Sequence, residues 1–491
     1  MERSGKYMYL GLPVLGSLFY LLYLYTASID MVYSDYIRLI QSYLPDVWNP
    51  EKFFVPDLLT RIPVNYLERA VNVTWFGYSV MFDRLLGVLG FGLSALCIGS
   101  YARRHSLGMG WYTVMMLVMF SLNKWEMLYN GTGWAHFLAF ACFFYNYLVF
   151  DRVYSGRGKK GDMRRLFFLP AVITIGVAGP YCAIYSMTLI LAALFVIAGK
   201  RLLVRRISGQ AGARPEKGRA FNRPEKGRIS NMQAAGIIFC TVWPLIAYMW
   251  SDSQAVYEHS GAVEIPLMTA LGQQPEFFLK FFLKSFASMI FGVELIHRRM
   301  SQVPDMVWCL AGLLVLGSYV LALWMNFRYG LAEKTILPLM LLAGGGMNHL
   351  LVLASRWIFM PNDSYGMSSR YALQYQVGIL GILLTFALVW KQSKDNNTHC
   401  PRAVRVMAVT AAGVLLAGNL LTTAEEFSFG KHRKYHNEME VKEIVLNFEN
   451  ETDDTLKAAL EYRKDGIREA LTILKENGWN IFGDNSKSPT P

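Results

Sequence analysis

Residues 371–390, YALQYQVGILGILLTFALVW, contain no acidic or basic side chain over twenty consecutive positions. A helix of roughly 20 mostly apolar residues crosses the ~30 Å hydrocarbon core of a bilayer. Comparable runs lie at 8–25, 78–100, 107–122, 134–150, 166–179, 182–199, 233–250, 306–325, 335–354 and 403–422. Continuous apolar runs exclude the alternating pattern of a membrane barrel. The sequence therefore predicts an all-α integral membrane protein, a polytopic bundle of about eleven transmembrane helices.

The composition agrees with this class. Of the 491 residues, 53% are hydrophobic and 17% are charged, whereas soluble domains carry about 25% charged residues. The net charge of +12 comes from basic residues placed between the apolar runs, where they orient membrane helices, so nucleic acid is not a predicted partner. The six cysteines form no CxxC pair and predict neither disulfides nor a zinc site.

The basic connections predict the orientation of the chain. Arg3 and Lys6 place the N-terminus in the cytoplasm, and the basic loops near 103, 152–165, 200–232 and 391–405 all fall on that side. Residues 1–422 then form the bundle, with a long outer loop at 26–77. Residues 423–491 form a small helical, extracytoplasmic tail. The phenylalanine-rich segment 277–297 favours an interfacial helix over a further span, because Lys280, Lys284, Glu294 and His297 interrupt it.

The first outer loop contains several carboxylates, among them Asp30, Asp35 and Asp57. Asp35 lies at the start of a predicted amphipathic helix, 34–44. Carboxylates beyond a membrane span are often simply solvated. Alternatively, Asp30 or Asp35 lines a cavity open to the outside and removes a proton from an acceptor hydroxyl, as a fixed general base does.

Two further outer connections contain unusual charges. Glu126 lies in the short aromatic segment 125–134, which is otherwise typical of a membrane interface. Arg356 and Arg370 bracket the loop 356–371, on the side where topology requires no positive charge. Both arginines are able to extend to the interface from helix ends. They are equally suited to bind a lipid-linked phosphate through paired hydrogen bonds.

These segments resemble GT-C-type bacterial membrane glycosyltransferases. The resemblance rests on the early acidic outer loop, on Trp125-Glu126-x-Leu-x-x-Gly131 and on Arg356 … Gly366 … Ser-Ser-Arg370-Tyr371, with a similar tail at 462–482. Such enzymes transfer a sugar from a polyprenyl-phosphate carrier to a glycan, lipid or protein acceptor. The reaction takes place on the outer face of the bacterial cytoplasmic membrane.

The resemblance also implies residue roles. It implies Asp35 as catalytic base with Asp30 as its rival, Arg370, Arg356 and Tyr371 as ligands of the carrier phosphate, and Glu126, Asp57 and Asp363 as cavity-lining residues. The two aspartates are four residues apart rather than adjacent as in the mannosyltransferase members, so both remain candidates. No cofactor is implied. A divalent cation is compatible with the residues but not indicated, since no carboxylate cluster requires one.

Two other functions fit a multi-span chain. A flippase or transporter of lipid-linked sugars needs charged residues along a path through the bundle, whereas here they concentrate at the outer rim. A polysaccharide polymerase of the Wzy class favours a large outer loop in mid-chain, whereas here the longest outer loop comes first.

Overall fold

The computed structural model describes residues 2–54, 63–199, 229–253, 261–395 and 400–483, and within these ranges all regular structure is helical. The α-helices are α1 (Glu2–Ala27), α2 (Asp35–Tyr43), α3 (Pro63–Phe76), α4 (Val80–Arg104), α5 (Met109–Met119), α6 (Trp125–Tyr129), α7 (Trp134–Tyr154), α8 (Asp162–Gly176), α9 (Cys182–Ile197), α10 (Asn231–Ser253), α11 (Leu267–Gln273), α12 (Pro275–Ala287), α13 (Val293–Arg299), α14 (Asp305–Arg328), α15 (Leu337–Arg356), α16 (Ser369–Asp395), α17 (Arg402–His436), α18 (Lys442–Leu446), α19 (Asp453–Ala459) and α20 (Ile467–Glu476). The predicted all-α class is confirmed.

Nine helices of the described ranges are long and apolar enough to cross a membrane. They are Tyr7–Ala27, Val80–Arg104, Gly131–Tyr154, Gly179–Ile197, Asn231–Ser251, Asp305–Arg328, Leu337–Phe359, Ser369–Asp395 and Arg402–Leu446. The chain is therefore a multi-pass helical membrane protein. The two other predicted spans, 107–122 and 166–179, fall on α5 and α8, which have 11 and 15 residues. At about 1.5 Å per residue neither helix covers a ~30 Å core alone, so eleven spans are not confirmed.

The connections predicted to be cytoplasmic meet at one end of the bundle. Lys391 Nζ donates to the backbone carbonyl of His105 over 2.6 Å, and Arg157 Nη2 lies 3.2 Å from His105 Nε2. Loops after α4, α7 and α16 are thus neighbours, as the distribution of basic residues predicts. The basic loop 200–232 lies outside the described residues except for 229–232.

The segment 277–297, predicted as one interfacial helix, forms two helices. It forms parts of α12 and α13, with a break at 288–292, and neither helix is among the membrane-spanning candidates. Phe281 is fully buried, and Lys284 lies inside the protein with Asp363 at 2.6 Å and Asp305 at 3.0 Å. Lys284 is thus neutralised by two carboxylates distant in sequence, and the phenylalanine face packs on the bundle.

The first loop and the C-terminal tail share a hydrophobic core outside the bundle. In α20 the buried residues Ile467, Leu471 and Leu474 form one stripe, with the spacing expected of an amphipathic helix. This stripe joins a buried cluster that includes Ile37 and Ile40 of α2. The loop and the tail therefore form one unit at the end of the bundle opposite the basic connections.

A side chain of the tail also fastens the first loop. Asn480 Oδ1 accepts a hydrogen bond from the backbone N–H of Val32 at 3.1 Å, and its Nδ2 donates to the carbonyl of Tyr78 at 3.0 Å. The Asn480 backbone N–H donates to the carbonyl of Gly77 at 2.7 Å. One residue thus joins the start of the loop to the turn at its end.

Candidate functional site

A cavity of about 1420 Å³ lies between the bundle and the unit formed by the loop and the tail. Its wall comes from the start of α2 and from segments 126–136, 180–181, 293–297, 355–371 and 457–464. Five residues singled out from the sequence line it, namely Asp35, Glu126, Arg356, Arg370 and Tyr371. Segments more than 300 positions apart in the chain therefore line the same cavity.

Arg370 is held by a carboxylate from a different element. The chain enters α16 at Ser369, directly after a short turn, Tyr365–Met367. Arg370 Nε donates to Glu126 Oε1, and Ser369 Oγ donates to Glu126 Oε2 at 2.9 Å. Glu126 thereby binds two consecutive residues at the start of α16. The side chain of Arg370 remains 49% exposed, so its guanidinium is oriented but still accessible from the cavity.

Arg356 has a different environment. It is the last residue of α15, and it lies close enough to Tyr181 and Tyr371 for its charge to act on both phenol groups. Among the described residues it has no carboxylate partner. A guanidinium that lines a cavity without a counter-ion is suited to bind an anionic ligand, because such a ligand would supply the missing negative charge.

Asp35 lies at the start of α2, and its side chain is 31% exposed. Arg38 Nη2 is 3.9 Å from Asp35 Oδ1, which is longer than a direct hydrogen bond. The carboxylate is also near enough to Arg370 to act on its charge. The preceding residue is fixed by the tail, since the Ser34 N–H donates to the Leu460 carbonyl at 2.6 Å. Asp35 is thus a positioned carboxylate that faces the cavity.

Asp30, the rival of Asp35, has another role in the structure. Its Oδ1 accepts hydrogen bonds from the backbone N–H groups of Val80 at 2.7 Å and Met81 at 3.1 Å. Its Oδ2 accepts from Ser79 Oγ at 2.7 Å. A carboxylate in this position stabilises a helix N-terminus, here that of α4. Asp30 does not contribute to the cavity wall.

The two other predicted lining residues are placed as follows. Asp363 is turned toward Lys284, while its neighbours Asn362 and Ser364 line the cavity. Its ion pair anchors the 362–368 loop from behind rather than contributing to the wall. Asp57 lies outside the described residues.

A buried carboxyl lies beside this site. Glu294, near the start of α13, lies close to Glu126, Ser369 and Trp125. Burial, with a smaller contribution from the negative charge of Glu126, raises the pKa of the Glu294 carboxyl. Its neighbours in sequence, Val293 and His297, line the cavity. Glu294 is therefore a buried carboxyl that adjoins the Glu126–Arg370 pair and the cavity wall.

Sequence reasoning noted the resemblance of the tail at 462–482 but assigned no cavity-lining residue to it. Lys457, Glu461, Arg463 and Lys464 all line the cavity, although more than 80 residues separate them from the next lining segment. No local pattern marks such a distant approach. Arg38, by contrast, was within reach of sequence analysis, because residues three apart lie on the same side of a helix and Asp35 was already a candidate.

A smaller cavity of about 350 Å³ adjoins the tail side of the site. Tyr33, Tyr129 and Arg433 contribute to its wall, and Glu461 lines both cavities. The Tyr33 and Tyr129 rings lie 5.2 Å apart. In the part of the chain that the structure describes, no group of three or more His, Cys, Asp or Glu side chains could hold a metal ion.

Compared with protein-family models, curated proteins and solved structures, the chain gives no match. The class is therefore defined by the fold and the site alone. It is a multi-pass helical membrane protein with a large cavity, lined in part by charged side chains, between its helix ends and an extramembrane unit.

Proposed function

We propose that this chain is a GT-C-type membrane glycosyltransferase of the bacterial cytoplasmic membrane. It transfers a sugar from a polyprenyl-phosphate carrier to a glycan, lipid or protein acceptor on the outer face. The observation that supports the proposal is the convergence of Asp35, Arg356 and Arg370 on one cavity. A carboxylate and two guanidiniums that line one cavity can supply the general base and the positive charge that favour displacement of a phosphate leaving group.

The two arginines bind the carrier phosphate in this proposal. Both lie at ends of long apolar helices, α15 and α16, and the ends of membrane-spanning helices lie close to the lipid headgroups. Charge-assisted hydrogen bonds from guanidinium to phosphate are stronger than neutral ones and fix the phosphate geometrically. Tyr371, which is largely buried beside Arg356, completes this part of the wall.

The reaction is a displacement at the anomeric carbon of the donor sugar. The acceptor hydroxyl oxygen forms the new bond, and its proton passes to the Asp35 carboxylate. The bond between the anomeric carbon and the phosphate oxygen breaks, and its electron pair stays on the phosphate. Arg356 and Arg370 stabilise the charge that develops there. Glu126 keeps Arg370 in place during the step.

Transfer from a labelled polyprenyl-phosphate sugar in membranes that contain the full chain tests this proposal. Asp35→Asn should reduce transfer at least about 100-fold, the lower range for loss of a general base. The matched control is Asp46→Asn, which removes an exposed carboxylate from the same loop outside the cavity wall. Full transfer by Asp35→Asn would refute the assignment. Uptake or translocation of the labelled lipid without release of carrier phosphate would instead indicate a flippase.

A further inference from the structure

The tail side of the cavity has a surplus of positive charge. Among the residues that the structure describes, the wall contains six Lys or Arg side chains and three Asp or Glu side chains. Half of these basic residues come from the tail, namely Lys457, Arg463 and Lys464. The tail contributes one of the three acidic residues, Glu461. The carrier phosphate proposed to bind Arg356 and Arg370 does not account for these basic residues of the tail.

The basic residues of the tail are held in place by folded structure. Leu456 and Leu460 are fully buried, and the Leu460 carbonyl accepts the hydrogen bond from Ser34. The chain then turns at Glu461, whose φ of 50° lies in the left-handed region. Such a conformation is costly for a residue with a side chain and persists where surrounding contacts enforce it. Arg463 follows two residues later, so its position relative to the wall is determined by this turn.

The three basic side chains are not equivalent. Lys457 Nζ pairs with Asp465 Oδ1 at 2.7 Å, so part of its charge is compensated within the tail. Arg463, in contrast, has no carboxylate partner among the residues that the structure describes. It resembles Arg356 in this respect, because both guanidiniums line the same cavity without a counter-ion. Excess charge of one sign along a cleft attracts and retains ligands of the opposite sign.

We infer that the tail residues around Arg463 form a second anion-binding subsite, separate from the one that binds the carrier phosphate. The inference rests on the proposed function, and it implies that the bound substrates together carry a second negatively charged group. This group is either an acidic sugar of the acceptor or the second phosphate of a pyrophosphate carrier. The tail belongs to the extramembrane unit rather than to the helix ends, which favours an acidic acceptor.

Binding to the full chain in uncharged phosphatidylcholine nanodiscs tests the subsite. The probes are trigalacturonate, neutral maltotriose, farnesyl phosphate and farnesyl pyrophosphate, titrated by thermophoresis at low salt. The variant is Arg463→Glu, and its control is Lys475→Glu, which makes the same charge change in the tail outside the cavity wall. Arg463→Glu should weaken trigalacturonate binding about 3- to 30-fold, the range expected for reversing one solvent-accessible charge, and leave farnesyl phosphate binding unchanged.

Each outcome is decisive. Weaker binding of trigalacturonate assigns the subsite to the acceptor, and weaker binding of farnesyl pyrophosphate alone assigns it to the carrier. The inference is overturned if Arg463→Glu weakens the binding of neither anion, or if Lys475→Glu has the same effect. Equal binding of maltotriose and trigalacturonate by the wild-type chain would exclude the assignment to an acidic acceptor. Failure of the wild-type chain to bind farnesyl phosphate would contradict the proposed function. The response of the acidic trisaccharide to Arg463→Glu would still decide whether the subsite exists.

Discussion

Arg356 and Arg370 should contribute similarly to phosphate binding but differently to stability. Each is expected to donate charge-assisted hydrogen bonds worth about 1.5–3 kcal/mol to the carrier phosphate. Replacing either by Gln should therefore weaken binding of a prenyl phosphate about 10- to 150-fold. Arg370→Gln also leaves Glu126 without its cation. Because these side chains are 49% and 21% exposed, that loss should cost at most about 1 kcal/mol of folding free energy.

Arg356→Gln should leave the thermal stability unchanged, because Arg356 has no carboxylate partner in the described part of the chain. The assay is a farnesyl phosphate titration of each variant in nanodiscs, together with thermal unfolding followed by tryptophan fluorescence. Unchanged binding in both variants, or a larger loss of stability in Arg356→Gln than in Arg370→Gln, would refute this explanation of the two sites.

A double-mutant cycle isolates the role of Glu126. Glu126→Gln should weaken phosphate binding through Arg370, since an amide oxygen can accept the Nε–H bond but lacks the negative charge that holds the guanidinium in place. The effects of Glu126→Gln and Arg370→Gln on the binding free energy should then be non-additive, with a coupling of about 0.5 kcal/mol or more. In a second cycle, the effects of Glu126→Gln and Arg356→Gln should be additive. Additivity in both cycles would mean that Glu126 does not act through Arg370.

Two further predictions concern the supports of the site. Lys284→Met should destabilise the fold by about 1–3 kcal/mol, because it removes the buried cation between Asp305 and Asp363. The loss is limited because both carboxylates remain partly exposed to water. An unchanged melting temperature would contradict this. Glu294→Gln should alter the pH dependence of stability. Burial raises the pKa of Glu294 above its unfolded value of about 4.3. The wild type therefore loses stability as the pH rises from that value through the higher pKa of the folded state. The variant should therefore gain stability relative to the wild type as the pH rises above about 4.3, and a pH-independent difference in melting temperature would contradict this.

The membrane-spanning helices were largely predictable because their signal is local. A run such as 371–390 is apolar at every turn, and the structure continues it as Ser369–Asp395. Helix length was less predictable. The apolar run 107–122 yields only α5, because the chain leaves the helix at Phe120 and enters a short turn, Leu122–Lys124.

The parts of the site that escaped prediction depend on distant pairing. Lys284 suggested an interfacial helix because its partner Asp363 lies 79 positions away. Asp30 was a candidate base because the helix N-terminus that it stabilises begins 50 residues later. The contribution of Arg463 depends on packing of the tail against the first loop, which no periodicity within either segment specifies. In contrast, Arg370 and Glu126 were singled out because charges at predicted membrane boundaries require a local explanation.

Native mass spectrometry of the full chain, purified from bacterial membranes in mild detergent, addresses the carrier most directly. We expect an adduct with the mass of a polyprenyl phosphate that withstands exchange against bulk phospholipid. It should be lost in the Arg356→Gln, Arg370→Gln double variant and retained in the control Lys475→Gln. A wild-type spectrum that contains only bulk phospholipids, at the same occupancy in the double variant, would contradict a cavity built for a polyprenyl-phosphate carrier.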